Sequence, residues 1–124
     1  MSVQSIGKLF VEMCNQGKNF DVMKTMYSPD IVSVEGSGAE TAGQQAVIEK
    51  SAKWASGLEL HGEKVRGPFF NGPQSGPDGQ FAVHFTFEVT PKSTGKRQTQ
   101  EEVAVYTVKG DKIVREQFFY EGNW

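Results

Sequence analysis

Phe81-Ala82-Val83-His84-Phe85-Thr86-Phe87-Glu88-Val89-Thr90 is the stretch on which the fold turns. Large apolar residues occupy 81, 83, 85, 87 and 89, and small or polar residues lie between them. Successive side chains of a strand point to opposite faces, so this pattern predicts a strand with one face in a core. On its N-terminal side, Asn71 to Gly79 holds three Gly and two Pro and reads as a loop. Before that loop, Leu58 to Phe70 is predicted to be one long strand, kinked near Gly62 or Gly67-Pro68. After it, Pro91 to Gly95 turns the chain. Gln98 to Lys109 forms the next strand, Gly110-Asp111 a tight turn, and Lys112 to Glu121 the last strand.

The first half reads differently. Ile6, Leu9, Phe10, Met13 and Cys14 fall at helical spacing and make one apolar stripe. Ser2 or Ser5 caps this helix and Gly17 stops it. Asn19 is expected to cap a second, shorter helix carrying Val22, Met23, Met26 and Tyr27, ended by Ser28-Pro29-Asp30. Ile31 to Glu35 reads as a strand broken by Gly36-Ser37-Gly38. A third helix runs from about Gln44, with Val47, Ile48, Ser51, Ala52, Trp54 and Ala55 on one face, to Gly57. Helices gathered ahead of consecutive long strands indicate an α+β fold: a curved antiparallel sheet wrapped around three N-terminal helices. Strands that curl over helices leave a hollow, and pockets form in such hollows.

The bulk numbers agree with one domain over residues 1–124. A chain of this length can bury a sufficient core without a disulfide or a metal, and Cys14 is its only cysteine. Nine Phe against three Leu (Leu9, Leu58, Leu60) favours pleated surfaces over a helical bundle. The net charge of −2 and pI near 5.7 give no basic face for nucleic acid. The one basic cluster, Lys92, Lys96 and Arg97, flanks a turn. Met1 to Lys8 does not read as a secretory signal, and no window is apolar enough for a membrane span. A reducing, cytoplasmic location is the expectation, with neither nucleic acid nor membrane as partner.

Three segments resemble the nuclear transport factor 2-like superfamily, and within it the SnoaL-like domains. The first is Phe20 to Val34, where Asp21, Met26-Tyr27, Asp30 and Ile31-Val32 stand where the family has a helix, a tyrosine step and a strand. The second is Gly43 with Val47-Ile48, similar to the family's lead-in to its third helix. The third is Glu102 to Tyr120, whose Tyr106 to Val114 resembles the family's hairpin, with the turn order shifted by one residue as Gly-Asp-Lys. The resemblance implies the cone-shaped α+β barrel of ketosteroid isomerase. That fold hosts isomerases, cyclases, dehydratases, hydrolases and plain binding modules. Ketosteroid isomerase has a carboxylate base at the end of its first strand, and the matching residue here is Glu35. Its two hydrogen-bond donors to the oxyanion match Phe10 and Ala104, which cannot donate. The electrophilic half of that enzyme's site is therefore missing here.

Glu35 lies at a strand end beside a glycine-rich loop, where partial desolvation would raise its pKa. The family's strand register turns Glu102, Ala104 and Tyr106 inward on one strand, and Val114, Glu116, Phe118 and Tyr120 inward on the next. Glu35, Glu102 and Glu116 would then share a pocket as candidate catalytic groups, with Tyr106 a further possible acid. A slip of one residue would send both strand glutamates outward. Periodicity does not choose, because the opposite face carries Val103, Val105, Ile113 and Phe119. That second apolar face suggests a homodimer packed through the convex side of the sheet. Phe10, Tyr27, Trp54, Phe85, Phe87, Tyr106, Phe118 and Tyr120 are the candidate ligand-binding residues of an aromatic pocket. His61 and His84 have no partners at metal-ligand spacing, so no metal is expected, and His84 should face away from the hollow. No phosphate loop or dinucleotide fingerprint is present, so no cofactor is expected. Two readings remain open on these residues. One is a pocket for a small apolar organic molecule, with or without cofactor-free proton transfer. The other is a non-catalytic dimeric binding or interaction module.

Overall fold

The computed structural model describes residues 1–121. Its elements run α1 (Val3–Asn15), α2 (Asn19–Met26), β1 (Tyr27–Val34), β2 (Glu40–Ala42), α3 (Gln44–Ser56), β3 (Leu58–Phe70), β4 (Gly79–Pro91), β5 (Gln98–Lys109) and β6 (Lys112–Phe119). They form the expected cone-like α+β fold, with an open six-stranded sheet in the order β2-β1-β6-β5-β4-β3. One pair departs from the antiparallel expectation: β1 runs parallel to β6, so the sheet is mixed.

The β4 alternation plays out as read. Phe81, Val83, Phe85, Phe87 and Val89 are buried, and the residues between them are half-exposed. Phe10 on α1 meets this ladder, its ring 5.5 Å from Phe81 and 4.5 Å from Tyr106. Ser2 caps α1, its Oγ accepting from the Ser5 N–H at 3.1 Å. The next unpaired amides, of Val3 and Gln4, donate to the carbonyls of Gly76 and Gln74 at 2.9 Å each. The 71–78 loop is thus fastened to the start of α1. The Gly110-Asp111 turn has φ of 53° and 69°, both left-handed, as a two-residue hairpin of this hand requires.

Several expectations change. Leu9 is exposed, and the buried stripe of α1 is Val3, Ile6, Gly7, Phe10 and Cys14. Lys18 occupies the N-cap of α2, while the Asn19 amide donates to Glu63 Oε2 at 2.7 Å. α2 ends at Met26, and Tyr27 already begins β1. β2 carries no apolar pattern and was not foreseen. β3 bends at both suspected places, with register shifts between Leu60 and Gly62 and between Arg66 and Phe69.

β6 brings the main correction. Thr107 pairs with Arg115 but Val108 pairs with Ile113, so Val114 is an extra residue in a bulge. Ile113 therefore turns into the core and is fully buried, whereas Val114 is only half-buried. The convex face keeps Val103, Val105 and Phe119 but loses Ile113.

Edge strand β3 is covered by a side chain acting as backbone. Asn15 Nδ2 donates to the Val65 carbonyl at 3.0 Å, and Asn15 Oδ1 accepts from the Val65 N–H at 2.9 Å. Both edge groups of Val65 are satisfied, which also guards the edge. Asn15→Ala should cost about 2 kcal/mol in urea unfolding, from two lost bonds and two part-buried backbone groups left open. A loss below about 0.5 kcal/mol would show that solvent replaces both bonds.

Candidate functional site

The curled sheet and the helices enclose a half-open cavity of about 800 Å³. Its concave wall is built in rows across the strands. Glu63, Phe87 and Gln100 are register partners in one row, and Val65, Phe85 and Glu102 in the next. Deeper rows bring Val83, Ala104 and Phe118 together, then Phe81, Tyr106, Glu116 and Ser33. Glu102 and Glu116 thus both face inward. The bulge at Val114 lies on the turn side of Glu116, so it leaves the parity of Glu116 and Phe118 unchanged.

All eleven residues singled out from the sequence border this cavity. Glu35 enters from the end of β1. Glu102 and Tyr106 stand on β5, and Glu116, Phe118 and Tyr120 on or just beyond β6. Phe10 and Tyr27 line the helix side. Trp54 on α3 meets Phe87 edge to face at 5.3 Å, and Phe87 stacks on Phe85 at 5.4 Å. The 71–78 loop lines none of it.

The charged groups form a network at the inner end. Glu116, 2% exposed, accepts from the Tyr27 hydroxyl and, at 2.6 Å, from Ser33 Oγ. Lys50 Nζ donates to Ser33 Oγ at 2.6 Å and pairs with Glu35 Oε1 at 2.5 Å. It also lies 4.0 Å from Glu116 Oε2. The Tyr120 hydroxyl donates to Glu35 Oε2 at 3.2 Å. A side chain at Gly36 would press on the Tyr120 ring, since an added Cβ would lie 2.9 Å from it. The glycine lets that ring cover the backbone and reach Glu35. Lys50 was missed in the sequence. It sits three residues after Val47 and four before Trp54, so helical spacing does put it on the cavity side.

Burial pushes the Glu116 carboxyl up, while Ser33, Tyr27 and Lys50 pull it back only in part. Burial, then the Glu116 charge, holds Tyr27 and Tyr106 well above the ordinary phenol range, so both stay protonated donors. Burial likewise pushes the Cys14 thiol up, which suits packing and not nucleophilic work. Glu102 is the unusual group. Its pKa is raised to about 8, first by burial and then by the charges of Glu35 and Glu116, with Lys50 opposing. The residue is half-buried because it faces the cavity, whose confined solvent does not replace bulk water. On the outer face, His84 Nε2 lies 3.4 Å from Glu101. Among the described residues no three His, Cys, Asp or Glu converge as a metal site, and no helix is long and apolar enough to cross a membrane.

Folded Glu102 holds its proton more tightly than an unfolded glutamate. Between about pH 4.5 and 8 the native chain therefore binds more protons at this site. The stability tied to that proton is complete below the unfolded pKa and is lost as pH rises through about 8. Glu63 and Glu116 shift in the same direction. Wild-type unfolding free energy should fall from roughly pH 5 to 9, and Glu102→Gln should fall less steeply and be the more stable at the alkaline end. Parallel urea-unfolding profiles for the two proteins would mean that Glu102 is as well solvated folded as unfolded.

A family model described as SnoaL-like domain matches residues 1–120. A crystal structure from Mesorhizobium loti, described as a candidate SnoaL-like polyketide cyclase and, in brackets, a carbohydrate phosphatase, is 41% identical. The match covers 97% of this chain and 100% of that one, with a TM-score of 0.86. A candidate polyketide cyclase of Xanthomonas campestris is 17% identical over 95% of this chain and 89% of that one, TM-score 0.67. A protein of Catenulispora acidiphila with a ketosteroid isomerase-like fold, in complex with trimethylamine, is 15% identical over 91% of this chain and 83% of that one, TM-score 0.69. At those two lower identities the likeness is one of fold. No curated protein matches the sequence.

Proposed function

The chain belongs to the SnoaL-like domain family, and from that premise we propose that its cavity binds a small, largely apolar organic molecule and exchanges a proton with it. The observation that carries this reading is one carboxyl, Glu102, in the wall of a half-open aromatic cavity, with a pKa raised to about 8. Near neutral pH such a group can give a proton or take one, the condition general acid–base chemistry needs. Glu35 and Glu116 already hold donors on both oxygens, from Lys50 and Tyr120 and from Tyr27 and Ser33. Their part is to set the field around Glu102, with Glu35 the second group within reach of a bound molecule. Trp54, Phe85, Phe87 and Phe118 supply the apolar contact surface. The likeness to a candidate SnoaL-like polyketide cyclase supports a pocket that takes an organic substrate of this kind.

A thermal-shift screen against small hydrophobic ketones, lactones and carboxylic acids tests binding. A ligand at a hundredfold its Kd should stabilise the fold by about 2.7 kcal/mol, a rise of several degrees in Tm. Ser51→Phe, which fills the cavity from α3, should abolish the shift. With a ligand in hand, Glu102→Gln should lower turnover by at least about a hundredfold while binding remains. Binding with no turnover by the wild type would make the chain a carrier.

We also propose a homodimer through the convex sheet face. Val103 and Phe119 are cross-strand partners, 40% and 51% exposed, and Phe69 on β3 is also exposed. Adjacent exposed aromatic and β-branched residues in the middle of a sheet favour burial against a second copy. Light scattering should give twice the chain mass, and Val103→Glu with Phe119→Glu should halve it while the circular dichroism spectrum of the folded subunit is kept and its unfolding midpoint no longer depends on protein concentration. A wild-type monomer at about 100 μM, well above a typical dimer Kd, would dismiss this interface.

A further inference from the structure

Two acceptors on one face of β5 stand in the cavity wall without donors. Gln100 is 6% exposed and lines the cavity, and its Oε1, itself shut off from solvent, receives no hydrogen bond; a turn of the carboxamide brings it to the cavity side. Glu102 follows two residues later on the same face. Among the described residues, Tyr27, Ser33, Tyr120, Lys50 and Asn19 donate to Glu116, Glu35 and Glu63, and no donor is bonded to Glu102. A buried polar atom left unpaired costs free energy, so native proteins keep one where a partner arrives from outside. The missing partner of Gln100 Oε1, and of Glu102 once it is ionised, is a donor.

Charge and shape narrow the donor further. Four carboxyls line the cavity, Glu35, Glu63, Glu102 and Glu116, against two lysines. Lys53 is exposed, and Lys50 is committed to Glu35 and Ser33. The groups whose charge or dipole reaches Glu102 are Glu35, Glu116, Glu63 and Lys50, with the phenols of Tyr106 and Tyr120. Carboxylates prevail in that set. Beside the two acceptors lie two aromatic faces: Gln100 is the register partner of Phe87, and Glu102 of Phe85. The Phe85 and Phe87 rings stack within 12° of parallel, and Trp54 closes on Phe87. Aromatic faces next to carboxylates attract cations. No three ligand groups converge among the described residues, so the cation suited to this wall is organic and not a metal ion.

We propose that the cavity selects a protonated amine, whose N–H groups bond Gln100 Oε1 and the Glu102 carboxylate while its apolar body lies on Phe85, Phe87 and Trp54. This rests on the pocket reading above and names the ligand class for it. A neutral alcohol brings a single donor and leaves the excess negative charge in place. An ammonium brings up to three donors and offsets that charge. Because the free protein holds a proton on Glu102 below about pH 8, amine binding at neutral pH displaces that proton to solvent. Affinity should then rise by about tenfold per pH unit from pH 6 and level off above the Glu102 pKa. The bound amine leaves Glu102 ionised beside the ligand, in the form that accepts a proton.

Titration calorimetry with 2-naphthylmethylamine, 2-naphthylmethanol and 2-naphthoate tests this on the wild type, Glu102→Gln and Gln100→Leu. At pH 8 the amine should bind the wild type at least about tenfold more tightly than the alcohol, and the carboxylate more weakly than either. At pH 7, buffers of different ionisation enthalpy should report close to one proton released per amine bound. Glu102→Gln should abolish the proton release, and each variant should bring amine and alcohol to similar affinities. Alcohol or naphthoate binding as tightly as the amine would overturn the cation preference and leave the pocket reading standing. An amine preference unchanged in both variants would overturn the placement on β5. Failure of all three probes to bind would take down both readings.

Discussion

Among the described residues, Glu116 is the one acidic or basic side chain, tyrosine and cysteine aside, that the fold removes almost wholly from water. An isolated carboxylate in that position would cost several kcal/mol, so its partners are structural requirements. Tyr27 and Ser33 supply them from the two sides of the irregularity in β1, where the register against β6 shifts between Tyr27 and Val32. Lys50 reaches the same carboxylate through Ser33 and couples it to Glu35. One acidic group thus joins β6 to β1, the parallel pair that a simple meander could not make, and fixes α3 above both. Removing any one donor leaves charge without compensation, which explains why a polar network sits at the floor of an aromatic core.

From that clamp follows the hollow. α1 packs on β3 and β4 at one end, and α3 packs on β1 at the other. The two bends in β3 carry the edge of the sheet around to enclose the space between them. The Phe ladder of β4 supplies wall at the open side and filled core at the closed side. Phe81 is sealed against Phe10 and Tyr106, whereas Phe85 and Phe87 look onto the cavity. One period-two pattern therefore serves packing and binding in turn along a single strand.

Much of this was legible. The alternation of residues 81–89 settled β4, and the glycines at 62 and 67 marked both bends of β3, because glycine weakens a strand and often stands at a bulge or bend. The inward set on β5 was legible from its resemblance to a known register, although not from periodicity, since Val103 and Val105 make the outer face apolar as well. The bulge at Val114 was invisible. A bulge is one residue added between well-formed pairs, and nothing in Lys112 to Arg115 announces it, so Ile113 was assigned to the wrong face. Asn19 has the composition of a cap and uses its amide on Glu63, a contact 44 residues away that no local rule contains. Lys50 was hidden by its type: a lysine on an apolar helix face is ordinarily taken to reach solvent along its stem. Gln100 shares the parity of Glu102 but offers no charge to draw notice.

The network at the floor and the open wall on β5 stand in instructive contrast. Both bring carboxyl groups out of bulk water, and burial raises both. Glu116 is then supplied with two hydrogen-bond donors from β1, Tyr27 and Ser33, and with the Lys50 charge from α3, which offsets part of the lost solvation and makes it a fixture. Glu102 receives none, although Lys50 and Tyr120 lie close enough for other carboxylates to claim them. A fold that can satisfy one buried acid with three partners does not lack the means to satisfy a second. The unpaired state of Glu102, repeated two residues away by Gln100, is the departure from local consistency that characterises a site kept open for something else. The cost falls on the stability of the free protein at alkaline pH, and whatever occupies the wall relieves it by mass action.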